Sequence, residues 1–141
     1  APVRQVDDLS VALGSTGKIL LLFEESVDGV ALRSALAGAV GEGAGLTQAL
    51  SWMLEVVPSG VNKATAVRAL LERWNISPEE AVAIGDGEND AEMLAFVGMG
   101  IAMGNGGAAA KAAAQHTVPS NREDGFSVAM EEHVLAQLDK A

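Results

Sequence analysis

The sequence predicts an α/β fold whose second half, residues 58–141, is a parallel sheet covered by helices, preceded at 1–57 by a smaller α/β piece. Two observations carry this. Short apolar runs alternate with helical periodicity over the second half, giving helix, strand, helix, strand, helix, strand, helix, and that alternation is the signature of a parallel sheet. The composition is also that of a folded chain: 141 residues, 49% apolar and 20% charged, enough for a core of ordinary size. Pro58 marks the boundary between the two textures.

In the first half, QVDDLSVALG at 5–14 predicts a short helix ended by Gly14. KILLLF at 18–23 follows the turn-like GSTG and predicts a buried strand. Ser26 is the expected cap of a helix running to about Val40, and GEGAG at 41–45 stops it. LTQALSWMLEVV at 46–57 fits two periods. Leu46, Leu50, Trp52, Leu54 and Val56 repeat every second residue, whereas Leu46, Ala49, Leu50, Met53, Leu54 and Val57 fit a helix. Trp52, the Val56-Val57 pair and the following Pro58 decide for a strand.

In the second half, PSGVN at 58–62 is a loop. Val67, Leu70, Leu71 and Trp74 recur at helical spacing and predict a helix to Trp74 with that face in the core. Trp52 is also expected there. Ser77-Pro78-Glu79-Glu80 has the form of a capping-box turn. AVAIG at 81–85 predicts a strand, Ala91–Val97 a helix with Gly98 as its C′ residue, and GIAM at 100–103 a strand. GNGG then opens an alanine-rich helix at 107–115. HTVPS is a short strand, NREDG a loop, and 125–138 a final helix.

Several function classes are excluded or disfavoured by composition. The charge balance is 9 basic against 19 acidic residues, a net −10, so DNA, RNA and anionic lipid are poor partners. There is no cysteine, which excludes disulfides, zinc–thiolate sites, iron–sulfur clusters and thiol nucleophiles. No apolar run reaches the ~18 residues of a membrane span. APVRQVDDLS carries no signal-peptide pattern; the expected setting is intracellular and soluble, cytoplasmic in the simplest reading, with an organelle left open.

The richest stretch for chemistry is Gly85-Asp86-Gly87-Glu88-Asn89-Asp90, directly after the AVAI run. Ligands of open α/β sheets bind at the carboxyl ends of strands. Asp86, Glu88 and Asp90 crowd into five residues, and no Lys or Arg occurs from 75 to 110 to neutralise them. Hard oxygen donors without nearby His or Cys point to Mg²⁺. The plainer reading is a solvated acidic turn. An EF-hand loop would need Gly at 91 and Glu at 97, where the chain has Ala91 and Val97.

Lys63 stands in the first turn of a predicted helix, where a cation opposes the macrodipole. A lysine among the free N–H groups of a helix start suits a phosphate, and the alternative is a screened surface lysine. Asn105 and Asn121 follow predicted strands, in positions that turn chemistry alone explains. His116 and His133 have no partner at metal or triad spacing and are expected to be structural or surface residues. Gly104-x-Gly106-x-x-Ala109, with Asp124 further on, has the form of a dinucleotide fingerprint. It is weak, because Gly and Ala are abundant and the next strand is broken by Pro119.

Residues 58–125 resemble the C-terminal part of a Cof-type haloacid dehalogenase-like (HAD) hydrolase, through GDGEND, AEML, AMGN and SN-EDG in that order. Residues 1–57 resemble, more loosely, the end of the α/β cap that this family inserts into its core. The resemblance implies a HAD-like Rossmannoid sheet at 58–141, part of a cap at 1–57, and Mg²⁺-dependent hydrolysis of small phosphorylated metabolites. It implies that Lys63 holds phosphate and nucleophile and that Asp86 ligates Mg²⁺. Asp90 would orient the metal, directly or through its waters, Asn89 would contact the phosphoryl group, and Asn121 would be a second phosphate contact. Lys63 is then expected near the Asp86 carboxylate.

The family's Asp-x-Asp-Gly nucleophile motif is not in this sequence, nor is the Ser/Thr that follows it. The chain is therefore expected to be a fragment, inactive alone, whose strand 81–85 has an open edge. That edge would seek the missing N-terminal half or a second copy. A non-catalytic HAD-like binding or assembly module is the competing function class. The substrate's selectors are expected in the cap.

Overall fold

The computed structural model describes residues 5–12, 14 and 16–136. Its strands form two three-stranded sheets, one antiparallel and one parallel, and the chain passes from the first to the second after Pro58. The predicted α/β class and the parallel second sheet are both present.

The first sheet contains β1 (Ile19–Leu22), β2 (Ala44–Leu50) and β3 (Met53–Pro58), in the order β1-β3-β2. The predicted single strand over 46–57 is in fact a hairpin. The chain reverses between Leu50 and Met53, which face each other in the register, and Leu46 pairs with Val56. Period-two patterning is blind to such a reversal, because both arms keep the same alternation. Trp52 lies in the turn and is exposed rather than in the core. β1 is an edge strand with Leu20 and Leu22 largely exposed, not a buried one. Helix α1 (Gly29–Val40) is capped by Asp28 instead of Ser26: the Asp28 carboxylate accepts the N–H groups of Val30 and Ala31 at 3.0 and 3.1 Å. The expected helix at 5–14 is reduced to a 3-10 turn at Leu9–Ala12.

The second sheet contains β4 (Val82–Gly85), β5 (Met99–Ala102) and β6 (His116–Thr117), all parallel. Its helices are α2 (Lys63–Trp74), α3 (Ala91–Phe96), α4 (Ala108–Ala113) and α5 (Gly125–Val128), the last continuing as a π-helix through Ala129–Leu135. The expected end of that helix at 138 lies outside the described residues. Strand alternation sends Ala83 to a core with Leu94, Val97 and Ala110, under α2, α3 and α4. It sends Ile101 to a core with Met103, Val118 and Ala129, under the C-terminal helix. Among the described residues the outer edge of β4 is unpaired.

α2 buries Ala64 and Leu71, and its Val67 packs against the core of Ala83, Leu94, Val97 and Ala110. Leu70 and Trp74 are exposed, so the inward face is rotated from the predicted one and Trp74 is not core. His116 and His133 are not isolated: their rings stack with centroids 4.4 Å apart, joining β6 to the C-terminal helix. Among the described residues no helix is long and apolar enough to cross a membrane.

The residue after α3, Val97, caps it in an extended conformation, so Gly98 is not a left-handed C′ residue. That role falls to Asn75 after α2, at φ 55°. Glycine is needed at 98 and 100 for another reason. A Cβ there would run into the backbone of Glu79 and of Leu94, respectively. Close approach of α3 to β5 therefore depends on Gly100. Gly100→Ala should destabilise the chain by about 2 kcal/mol or more, as overpacking against an unyielding backbone does. Gly38→Ala, in the middle of α1 with open space around it, should stabilise it by up to ~1 kcal/mol. Denaturant midpoints at unchanged slope would read both, and a neutral Gly100→Ala would contradict the packing described.

Candidate active site

β4 ends at Gly85, and the chain enters a tight loop whose last residue, Asp90, folds back beneath it. A Cβ at Gly85 would lie 2.6 Å from the Asp90 Cβ, so glycine at 85 makes room for this carboxylate. Asp90 is 3% exposed. Its Oδ2 accepts the backbone N–H groups of Asp86 at 3.0 Å and Gly87 at 2.8 Å, and its Oδ1 accepts from Lys63 Nζ. Burial works against the charge of Asp90. The Lys63 ammonium and the two amides outweigh it, holding the carboxyl below the usual carboxylate range.

Lys63 is the first residue of α2, and a reciprocal cap fixes it there. The Asn62 side chain accepts the Thr65 N–H at 2.8 Å, and the Thr65 hydroxyl accepts the Asn62 N–H at 3.1 Å. The Asn62 amide also donates to Glu92 at 2.6 Å, tying the start of α2 to α3. The Lys63 side chain is half exposed, and its head group bonds to the buried Asp90. Lys63 was expected near the Asp86 carboxylate; it does reach this loop, and its contact there is with Asp90.

Three unneutralised carboxylates were expected here, and that is corrected. Lys63 holds Asp90, and Arg33 of α1 grips Glu88 with two bonds of 2.7 Å. Arg33 also donates to the Leu46 carbonyl at 3.2 Å. Both cations come from distant sequence, which is why the 75–110 window did not reveal them. Among the described residues, Asp86 is the carboxylate of the three without a cation.

Asp86 Oδ2 accepts from the Asn105 side chain at 2.9 Å, and Asn105 Oδ1 accepts the Asn121 N–H at 2.8 Å. The Asp86 carbonyl accepts the Gly107 N–H at 2.9 Å. Hydrogen bonds thus link the loops after β4, β5 and β6 at the carboxyl ends of the parallel strands. Asn105 is the residue that sequence reasoning passed over. Its one signal was a polar side chain in a Gly-rich loop after an apolar run.

Asn89 is half-buried and lines a cavity of about 740 Å³ together with Lys63, Asn62 and residues of the first sheet. The glycines of the dinucleotide-like motif serve loop packing. A Cβ on Gly104 would meet the Ser120 amide, and one on Gly106 the Met103 carbonyl and the Asp86 backbone. α4 behind them has only six residues.

The donors suit Mg²⁺, which takes oxygen ligands, keeps several waters and needs only one or two carboxylates. Asp86 is exposed and has one oxygen outside the hydrogen bonds above. Both oxygens of Asp90 and of Glu88 are already engaged. Among the described residues no cluster of three metal-ligating side chains exists. The fit is therefore to an ion that one exposed carboxylate would hold, with water in its other positions.

Asp90→Ala should cost about 2–3 kcal/mol in metal-free protein, since two part-buried amides and a lysine lose a charged acceptor. Asp90→Asn, which keeps one acceptor, should cost about 1 kcal/mol. The sign of the pH effect follows from the depressed folded-state pKa. The ionic part of the stability is fully present above the unfolded carboxyl pKa and is lost as pH falls through the folded value. The gap between wild type and Asp90→Asn should thus be constant near neutrality and shrink in acid. A gap that widens in acid would contradict the Lys63–Asp90 pairing.

Residues 4–130 match the family of haloacid dehalogenase-like hydrolases. Over 130 residues the chain is 41% identical to the chloroplastic endoribonuclease YBEY of Arabidopsis thaliana, covering 91% of this chain and 22% of that protein. It is 35% identical to the 5-amino-6-(5-phospho-D-ribitylamino)uracil phosphatase YitU of Bacillus subtilis, covering 91% of this chain and 48% of that one. A solved haloacid dehalogenase-like hydrolase from Bacteroides thetaiotaomicron superposes with a TM-score of 0.72 at 33% identity, over 92% of this chain and 48% of its own. SMU.1108c from Streptococcus mutans gives a TM-score of 0.75 at 28% identity, over 84% and 44%. The chain thus spans about half the length of the phosphatase and of these two structures, and much less of the Arabidopsis protein. With the family matched over residues 4–130 and the fold shared with solved members, the chain belongs to the haloacid dehalogenase-like hydrolases.

Proposed function

We propose that this chain supplies the metal- and phosphate-binding half of a Mg²⁺-dependent phosphatase acting on small phosphorylated metabolites. The observation that carries the reading is the Lys63–Asp90 pair, set in the Asp86 loop at the carboxyl end of β4. A half-exposed helix-start lysine, bonded to the aspartate that also anchors the amide of exposed Asp86, is a place for a phosphate and its cation. In this reading residues 58–141 are the second half of the catalytic core, and residues 1–57 the end of its cap.

The residues divide the work as follows. Lys63 neutralises the transferring phosphoryl group and its developing charge. Asp86 is the direct metal ligand, and Asp90 stands behind it, fixing both the lysine and the loop amides. Asn89 and Asn121 contact phosphate oxygens, with Asn105 orienting Asp86 and the Asn121 backbone. Bound Mg²⁺ would supply charge neutralisation at the phosphate oxygens. A covalent route needs a nucleophilic carboxylate, and the sequence contains no Asp-x-Asp pair to provide it. The open edge of β4 is where the missing strand, or a second copy of the chain, would pair.

The relatives named as phosphatases support this reading, including YitU and the HMP-PP phosphatase of Escherichia coli. The nuclease activity in the Arabidopsis name is not carried over. This chain maps to 22% of that protein, and a net charge of −10 is ill suited to RNA.

The chain alone should show no robust hydrolysis of an aryl phosphate, with or without Mg²⁺. It should nevertheless gain thermal stability when phosphate and Mg²⁺ are added together, and Asp86→Asn should abolish the Mg²⁺-dependent part. Robust turnover lost in Asp86→Asn would reveal a nucleophile in this sequence. Absence of any joint Mg²⁺ and phosphate effect would overturn the proposed site.

A further inference from the structure

The chain holds two histidines and no cysteine, and the fold brings the two histidines together from different elements. His116 opens β6, and His133 lies in the π-helical segment Ala129–Leu135. Their ring centroids are 4.4 Å apart and the rings are tilted by 32°. His116 is exposed and His133 half-buried. Among the described residues neither ring takes part in a hydrogen bond or an ion pair. Their nitrogens are thus left for something other than the protein.

Spacing on the two elements accounts for the meeting. Val118 and Ala129 share a core with Ile101 and Met103. His116 stands two residues before Val118 on extended chain, hence on the same face of the sheet. His133 stands four residues after Ala129, close to one turn of the wider π-helix. Strand and helix therefore run past each other with Val118 against Ala129 and His116 against His133. The inner pair is buried, and the outer pair reaches water. Packing at this rim asks for no nitrogen, since two phenyl rings would stack as well. What the imidazoles add is a pair of nitrogen donors, and imidazole is the commonest side-chain ligand of transition metals.

We infer that His116 and His133 form a two-imidazole site for a divalent late transition-metal ion, Cu²⁺ in preference to Zn²⁺, which pins the C-terminal helix to β6. Two imidazoles bound to one ion at a right angle, with bonds of ~2.0–2.1 Å, have centroids about 4.5 Å apart; a tetrahedral angle widens this to about 5 Å. The observed 4.4 Å matches the right angle. Right-angled nitrogen and oxygen sites suit Cu²⁺, whereas Zn²⁺ takes tetrahedral ones. The χ2 torsion of histidine is soft, so both lone pairs can be aimed at one point while the backbone stays in place. Water completes the coordination. Glu131 and Glu132 precede His133 in the chain, and the net charge of −10 favours a cation. Mg²⁺ requires oxygen ligands and does not compete for these nitrogens. The site shares no residue with the Asp86 loop and does not rest on the phosphatase reading.

The test is a titration of the 141-residue chain with Zn²⁺, which is diamagnetic, read at the imidazole NMR signals of its two histidines. Excess Mg²⁺ is present throughout to occupy carboxylates. Both imidazoles should shift together, reaching saturation at one ion per chain. Cu²⁺ should displace Zn²⁺ with about tenfold or higher affinity. His116→Gln and His133→Gln should each weaken binding of both ions about tenfold or more, because the second imidazole binds as part of a chelate. Amide exchange across Ala129–Leu135 should slow in saturating Zn²⁺, and not in either variant. If the two rings shift at different Zn²⁺ concentrations, or either variant keeps its affinity within about twofold, the histidines are independent surface groups and the inference is overturned. Unchanged exchange in the helix of the saturated wild type overturns it equally. Should a variant lose its dispersed amide spectrum, the joint shift of both rings and the exchange in the wild type decide.

Discussion

The buried carboxylate of Asp90 is the constraint on which the rest of the site depends. It is almost fully enclosed, and an enclosed charge is tolerated only when its oxygens are satisfied. Two amides of its own loop and one lysine from another helix meet that demand. The same bonds set the loop's shape, fix the direction of Asp86 and bring α2 to the end of β4. Gly85 is small because this carboxylate lies against it. One side chain thus couples a turn, a helix position and a candidate ligand.

Charge balance around the loop follows the same logic at longer range. The whole chain is strongly acidic, yet among the described residues the acidic loop carries one carboxylate without a cation, Asp86. Arg33 reaches Glu88 from α1 and Lys63 reaches Asp90 from α2, across 55 and 27 residues. The Arg33–Glu88 fork is also a mechanical link, since it joins the antiparallel sheet's helix to the parallel sheet's loop. Partly exposed as it is, its energy is modest. Its effect is to hold the cavity's two walls in one relation.

Much of this was legible in the sequence, and the failures share a cause. Alternating apolar runs gave the parallel sheet, and the GDGEND text located the loop, because both are local patterns. Strand reversal inside 46–57 left no trace in a period-two pattern, and the exposed turn position of Trp52 went with it. The orientation of α2 could not be read because Leu70 and Trp74 satisfy helical spacing as well as Ala64 does. Only the neighbouring α3 decides which face is buried. The cations opposite Glu88 and Asp90, and the stacking of His116 on His133, are tertiary pairings that no window on the chain can contain. Asn105 was missed for the same reason: its role is to bridge Asp86 and Asn121, and each bridge spans a strand crossover.

The hydrogen-bond chain from Asp90 through Asp86 and Asn105 to Asn121 has a consequence for assembly. It crosses the ends of all three parallel strands using only groups of this chain. The loops are therefore held in register without help from the open side of β4. In the proposed reading, a strand added at that edge would bring a carboxylate without having to rebuild the loops. Lys63, Asp86 and Asp90 keep a coherent geometry among these residues alone. Their arrangement is fixed by the burial of one carboxylate, and that burial is complete within these residues.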